Sequence, residues 1–345
     1  MKVREIGEQG LLKRLQAYCP AEVVGDDAAI LRVQSGRSLV VTSDVLVDGV
    51  HFSDQTTHPE DAGWRAAAAN LSDLAAMGAK PLGITVGLGL PGDRLVEWVE
   101  RLYQGLTDCL QTYETVIVGG DVVRSPITTI AITALGEVAP HQIIRRSQAW
   151  PGQAIVATGW HGLSRAGLEL LLHPERGEFL RPNERIFLIH AHQRPTPRLD
   201  VLPWLHQILG QIPEQISGQI SGHQKSQSIA IAGMDSSDGL ADAIVQICYA
   251  SGVGAKIDWA QIPIYPALSQ WVGEEQAINW ALYGGEDFEL VLCLPIDLAQ
   301  KLVSHLGKGA TIVGITTSTP EVWLVDANGF YPNQKLTLDQ GFQHY

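Results

Sequence analysis

The sequence predicts an α+β protein of two domains, and three observations carry that prediction. Its 345 residues suffice for two domains of ordinary size. The first half mixes short apolar strands with crossing helices, an α+β pattern. Midway, Ala139-Pro140 to Gln153 interrupts the pattern with Arg145-Arg146-Ser147 and Pro151-Gly152. The expected units are therefore 1–139 and 150–345.

In chain order, residues 4–18 suit a short helix with Leu11, Leu12 and Leu15 on one face. Strands are expected near 28–33 and at 38–43, with Asp44 where the second ends. Pro59-Glu60 opens a helix over 59–76 whose small residues, Ala66 to Ala69 among them, imply close packing on another element. A strand over 83–90 precedes an amphipathic helix over 95–112. Strand 115–118 should deliver Gly119-Gly120-Asp121, and strand 127–135 follows. The second unit starts with strand 154–158 and helix 164–171. Residues 183–191 are helical in pattern, and Pro195–Pro197 is a rigid turn. The Gln/Ser/Gly-rich run 211–228 reads as an exposed loop or insertion. Strand 229–232 leads into Asp235-Ser236-Ser237-Asp238-Gly239 and helix 240–250. Then come strand 254–258, a helix near 275–282, the turn Gly284-Gly285-Glu286, strand 288–293, an αβ unit over 297–316 and strand 321–325. Both halves place an acidic loop after a short apolar strand, which suggests an internal duplication.

Composition narrows the function. The chain is 45% hydrophobic with 35 Gly and 18 Pro, a globular enzyme composition. Its net charge of −13, with no long Lys/Arg run, argues against nucleic acid as a partner. No apolar run has the length of a membrane span. The N-terminal MKVREIGEQG lacks an apolar signal region. Cys19, Cys109, Cys248 and Cys293 form no CxxC pair and read as buried thiols of a cytoplasmic protein.

The aspartates carry the chemistry. They stand beside glycine, serine or asparagine and next to apolar runs, as carboxylates entering a half-buried site would. Such groups need compensation, and a bound cation supplies it. Mg²⁺ prefers hard oxygen ligands and shares them with substrate phosphates. In Gly25-Asp26-Asp27, adjacent side chains diverge, so Asp27 alone need face the site; an ordinary Gly-Asp turn is the alternative. Thr42-Ser43-Asp44 can present hydroxyls and a carboxylate to a metal, or serve as a cap or Asx turn. Asn70 and Asp73 share one helix face. Gly119-Gly120 lets the backbone approach a bulky anion, with Asp121 holding the metal it carries. Arg124, Arg145 and Arg146 are candidate phosphate clamps. Asp235 and Asp238 flank two serines before a helix N-terminus that can face a phosphate. Glu286 can accept from a cationic or amino-bearing ring, or merely follow a glycine turn. His51 can bond a substrate phosphate or hydroxyl. No nucleophile–base pair is persuasive, so direct in-line phosphoryl transfer fits better than covalent catalysis.

Seven segments together resemble the thiamine-monophosphate kinase family, within the superfamily of aminoimidazole ribonucleotide synthetase. They are VVGDDAAI (23–30), VTSDVLVDGVHF (41–52), NLSDLAAMGAKP (70–81), VGGDVVRS (118–125), the RRS–PG segment (145–152), MDSSDGLADA (234–243) and YGGEDFEL (283–290). The resemblance implies ATP-dependent phosphorylation of thiamine phosphate to thiamine diphosphate with Mg²⁺. It implies metal ligands at Asp27, Thr42 or Ser43, Asp44, Asp73, Asp121, Asp235 and Asp238, of which Asp27, Asp121 and Asp238 are expected at the catalytic centre. Nucleotide contacts are implied at Gly120, Asp121, Arg146 and Ser237, and thiamine phosphate contacts at His51, Glu286 and Phe342. The implied fold is PurM-like. An N-terminal α+β domain contributes a sheet that pairs across a homodimer, and a C-terminal α/β domain packs behind it. Another ATP-dependent synthetase or kinase of the superfamily, or an inactive metal-binding relative, is the alternative. One departure is visible: the family's Asp-hydrophobic-Ser-Asp-Gly run has Ser236 at the hydrophobic position, tolerable if that side chain faces away from the site.

Overall fold

The protein is described here from a computed structural model covering residues 1–20, 23, 28–210 and 230–341. Asp27, Phe342 and the run 211–228 lie outside the described residues.

Helix α1 (Val3–Leu15) precedes the first sheet. That sheet contains β1 (Ser38–Val47), β2 (Lys80–Leu90), β3 (Ile117–Arg124) and β4 (Thr129–Val138), in the order β1-β4-β2-β3. Only the β2–β3 pair is parallel, the long helix α3 (Val96–Thr112) making the crossover. Helix α2 (Pro59–Ala76) matches the expected 59–76, with Pro59 in its first turn. It packs on β1, β4 and α3. The α2–α3 approach is close enough to require glycine. A Cβ at Gly63 would sit 2.0 Å from the Leu102 carbonyl oxygen, and one at Gly105 would sit 1.8 Å from that of Glu60. The small-residue run packs as its composition implied: Ala66, Ala67 and Ala68 are fully buried.

The second sheet orders seven strands as β11-β10-β7-β9-β5-β8-β6. These are β5 (Ala154–Ala157), β6 (Ala232–Asp235), β7 (Gly254–Asp258), β8 (Leu290–Leu294), β9 (Thr311–Thr317), β10 (Val322–Val325) and β11 (Gln334–Lys335). Its neighbours are antiparallel except β7 and β10. The helices are α4 (Leu163–Leu172), α5 (Pro182–Gln193), α6 (Val201–Gly210), α7 (Leu240–Ser251), α8 (Pro266–Val272), α9 (Glu274–Tyr283) and α10 (Ile296–Leu306). One apolar cluster spans the halves: Ala75 and Ala76, at the end of α2, pack with Val156, Leu290 and Leu292 of the second sheet.

Several expectations need correction. Residues 28–33 form no strand; Ile30 is 90% exposed, so no neighbour buries that run. Strand β1 continues to Val47 because its pairing with β4 holds as far as Thr129, which puts Asp44 inside the strand rather than at its end. Strand β3 likewise runs through Gly119, Gly120 and Asp121 and pairs with β2 as far as Arg124. Strand β6 ends on Asp235 instead of preceding it. Helices α6 and α8 were not expected. The Val201, Leu202, Leu205 and Ile208 spacing carries a helical period for the first, and Pro266 at a helix start marks the second.

Candidate active site

A cleft of ≈ 1380 Å³ lies between the halves. At one end, β1 supplies Asp44, α2 supplies Asp73, and the β6 end and following turn supply Asp235 and Asp238. Alternation along β1 puts Thr42 and Asp44 on the face that looks toward α2. The Thr42 hydroxyl donates to Asp73 Oδ2. The Asp44 backbone amide donates to Asn70 Oδ1 at 3.1 Å, and Asn70 Nδ2 donates to the Ala66 carbonyl at 3.0 Å. Asp235, 2% exposed, accepts from Ser72 Oγ at 2.7 Å and from Ser237 Oγ at 3.3 Å.

Burial, then the neighbouring Asp73 and Asp238, push the Asp44 carboxyl up to about 6. Burial, then Asp73, pushes Asp235 up to about 7. Burial also raises Asp73, against the Thr42 hydrogen bond and the field of Arg146. Among the described residues no three His, Cys, Asp or Glu side chains are grouped as an all-protein cage for an ion. Mg²⁺ does not ask for one: it is commonly bound through one or two carboxylates, waters and substrate phosphates. Hard oxygens brought together in a buried setting, where burial and one another disfavour their charge, suit a hard cation such as Mg²⁺.

This has a measurable consequence. In folded protein Asp44 and Asp235 bind protons more tightly than in the unfolded chain, so these two sites hold more protons when folded between about pH 4 and 7. Their contribution to the stability of metal-free protein is full below that window and is lost as pH rises through about 6 to 7, while the buried, neutral His161 and His192 work in the opposite sense. Melting in EDTA should show the decline as a difference between the parent and Asp235→Asn, and millimolar Mg²⁺ should stabilise the parent more at pH 8 than at pH 5. A difference between the two proteins that does not change with pH would contradict the raised carboxyls.

The two turns that carry acidic residues are interlocked. The Glu286 amide donates to the Ser237 carbonyl at 2.7 Å, and the Ser236 amide donates to the Glu289 carbonyl at 2.8 Å. Gly285, at φ +67°, would bring a Cβ to 2.8 Å from that same Ser237 oxygen, so only glycine fits there.

Glu286 and Asp287 then diverge. Asp287 caps α4, accepting from the Gly162 amide at 2.6 Å and the Ser164 amide at 2.9 Å. Asp287→Ala should lower stability by about 1–2 kcal/mol in urea denaturation; a loss under a few tenths would refute the cap. Glu286 faces the cleft at φ +58°. Its Oε1 accepts from Arg65 Nη2 at 2.5 Å. Arg65, 3% exposed on α2, also donates to the His51 carbonyl at 3.2 Å and to His192 Nε2 at 2.7 Å. Burial and the nearby Arg65 and Arg165 hold the His192 imidazole neutral, so its 3.9 Å approach to Glu286 is not an ion pair. Its Nδ1–H then donates to Ser164 Oγ at 3.0 Å. His51 Nδ1 accepts from the Val47 amide at 3.1 Å, and its side chain lines the cleft.

The structure thus gathers Asp44, Asp73, Asp235, Asp238, Ser237, His51 and Glu286 about one cleft, with Thr42 beside Asp73. Ser43 also lines the cleft, but its hydroxyl is turned to the Ile132 carbonyl, to which it donates at 2.8 Å. Asp121 is exposed and alternates with buried Val122, on the face of the first sheet opposite Asp44. Gly120 precedes it on the same exposed strand segment. Arg146 is exposed; it donates to Gln246 at 2.6 Å and reaches Asp73 only through its field. Arg65 and His192 were not anticipated as site residues. The signal for Arg65 was a lone cation among small apolar residues of a helix; His192 had none.

Two sheets, with a helix of the first half feeding the acidic end of a shared cleft, define a protein of the AIR-synthase-related class. Residues 25–138 match the family described as AIR synthase related protein, N-terminal domain. The thiamine-monophosphate kinase of Synechococcus elongatus is 52% identical over 342 residues, covering 99% of this chain and 97% of the relative. Among solved structures, thiamine-monophosphate kinase from Stenotrophomonas maltophilia superposes with a TM-score of 0.75 at 30% identity, covering 91% of this chain and 95% of that one. The structure described as AaThiL complexed with AMPPCP and TMP gives 0.69 at 29% identity, covering 98% and 99%. The chain belongs to the thiamine-monophosphate kinase family.

Proposed function

We infer that this protein phosphorylates thiamine phosphate with ATP and Mg²⁺, giving thiamine diphosphate and ADP by direct in-line transfer. The observation that carries this reading is the two-ended cleft, with raised, clustered carboxylates at one end and the Arg65-anchored Glu286 at the other. The kinase names of similar proteins, and the ATP analogue in one solved relative, support it.

Asp44, Asp73, Asp235 and Asp238, joined by Asp27 and the Thr42 hydroxyl, would hold the Mg²⁺ ions. Bound there, Mg²⁺ would neutralise charge on the phosphates and on the group in transfer. A phosphate oxygen of the acceptor attacks the γ-phosphorus as the bond to the β,γ-bridging oxygen breaks, and ADP leaves. That acceptor is a phosphate monoester, largely dianionic at neutral pH, so no side chain need remove a proton. Glu286 is proposed to meet the cationic, amino-bearing acceptor, together with His51, which lines the same cleft. Gly120, Asp121, Arg146 and Ser237 are proposed nucleotide contacts.

The first sheet also offers an outer face bearing Leu39, Val41, Val45 and Val123, each at least 48% exposed. Homodimerisation through that face is proposed, and it would place Asp121 at the subunit junction. We take 1–139 and 150–345 as the two domains. Among the described residues no helix is long and apolar enough to cross a membrane.

The deciding experiment incubates purified protein with ATP, Mg²⁺ and thiamine phosphate and quantifies both products. Equal amounts of thiamine diphosphate and ADP are expected. ADP without thiamine diphosphate would give the site another acceptor. No product from folded protein that binds ATP with Mg²⁺ would overturn the reading.

A further inference from the structure

Ser236 lies between the two aspartates of the acidic turn, and the structure shows what it meets. Ser236 is 0% exposed, and so is His161. His161 Nε2 lies 3.1 Å from Ser236 Oγ, and its Nδ1 lies 3.0 Å from the Gly159 carbonyl oxygen. A carbonyl can only accept, so Nδ1 carries the proton and Nε2 accepts from the serine hydroxyl. Burial keeps this imidazole neutral, lowering it to about 4, so the pattern holds throughout the neutral range. The ring is thereby fixed at both nitrogens. Its own backbone is held too, the His161 amide donating to the Pro263 carbonyl at 2.9 Å.

The placement matters because of the neighbours on either side. Ser236 sits between Asp235, which the Ser72 hydroxyl grips, and Ser237, whose carbonyl receives the Glu286 amide. His161 is followed by Gly162, whose amide holds Asp287, the residue after Glu286. The contact therefore ties the turn with the acidic residues to the loop that seats the Glu286 segment. We propose that His161 is a positioning residue which, through Ser236, fixes the Asp235–Asp238 turn in the geometry needed to bind Mg²⁺. This rests on reading the acidic end as a Mg²⁺ site. Neither side chain reaches the cleft, so neither is a ligand or a catalytic residue. An apolar side chain at 236 would leave Nε2 of a fully buried imidazole without a donor. The histidine and the serine thus make sense as a pair.

The test uses the full chain and Mg²⁺ itself as the probe. Binding is read by calorimetric titration of Mg²⁺ in the presence of ADP, with no turnover. Ser236→Ala should weaken Mg²⁺ about 10-fold, as loss of a partner behind a ligand commonly does. Ser236→Thr, which keeps the hydroxyl, should restore most of that loss. His161→Asn keeps a donor toward the Gly159 carbonyl but cannot reach Ser236; it should reproduce the Ser236→Ala defect, and it serves should that variant not fold. In turnover assays the half-saturating Mg²⁺ concentration should rise more than KM for thiamine phosphate. Folded Ser236→Ala and His161→Asn proteins with unchanged Mg²⁺ affinity and lower melting temperatures would reduce the contact to packing and overturn the proposal. A lack of any Mg²⁺ binding by the unsubstituted protein would instead remove the metal site, and this role with it.

Discussion

Asp235→Asn is expected to abolish turnover, by on the order of 10³-fold or more, in a protein that still folds. The loss follows from position. Asp235 is almost wholly buried at the meeting of β6, α2 and the acidic turn, and its carboxyl is raised by burial and by Asp73. Taking one hard anionic ligand from a phosphoryl-transfer centre forfeits several kcal/mol of charge stabilisation. The fold should survive because asparagine keeps an oxygen for the Ser72 hydroxyl and removes a buried charge that lacks a counterion without metal. Metal-free Asp235→Asn should thus equal or exceed the parent by about 1 kcal/mol at pH 8. That advantage should vanish near pH 4, where the parent carboxyl is protonated in the folded state. Product quantification with melting at the two pH values checks both parts. Activity within tenfold of the parent would remove Asp235 from the centre. Destabilisation at pH 8 would show that the carboxylate is structural.

Arg65→Met is expected to raise KM for thiamine phosphate about 10- to 100-fold while leaving KM for ATP nearly unchanged. The guanidinium is the buried hub of the acceptor end, donating to Glu286, the His51 carbonyl and His192 from one position on α2. Without it Glu286 loses the partner that orients it, and the His51 carbonyl and the His192 ring each lose a donor. Breaking such a buried charge network costs about 3–5 kcal/mol in general; with Glu286 38% exposed to water, about 2–3 kcal/mol is the better expectation here. Arg65→Lys should recover some acceptor affinity by supplying a point charge to Glu286, but less stability, since an ammonium lacks the planar fork that reaches three acceptors. A comparable rise in KM for both substrates would contradict this division of the cleft.

Legibility in the sequence followed how local each determinant was. Helix α2 was read to the residue because Pro59, two acidic residues and a run of alanines all act within it. The glycine-flanked Glu286 and the acidic turn were likewise visible as short strings. What escaped was set by partners distant in sequence. Whether Asp44 ends a strand or sits inside it depends on β4, some ninety residues on. Asp121 looked equivalent to the other aspartates, yet strand alternation places it on the opposite face from Asp44. Glu286 and Asp287 are neighbours in sequence with unrelated duties, one facing the cleft and the other capping a helix begun more than a hundred residues earlier. Arg65 gave a signal only in retrospect, since a buried cation can be told from a surface one only when its carboxylate is known.

Helix α2 has one consequence for motion. Its middle belongs to the core beneath the first sheet, whereas Ala75 and Ala76 belong to a cluster with the second, and Ser72 joins Asp235 between those points. A hinge opening the halves would have to tear that cluster and strand a buried carboxylate. Rearrangement on substrate arrival should therefore be confined to short segments at the rim. Hydrogen exchange would then show α2 amides exchanging only by global unfolding, with or without ligands, while protection changes concentrate at the cleft mouth.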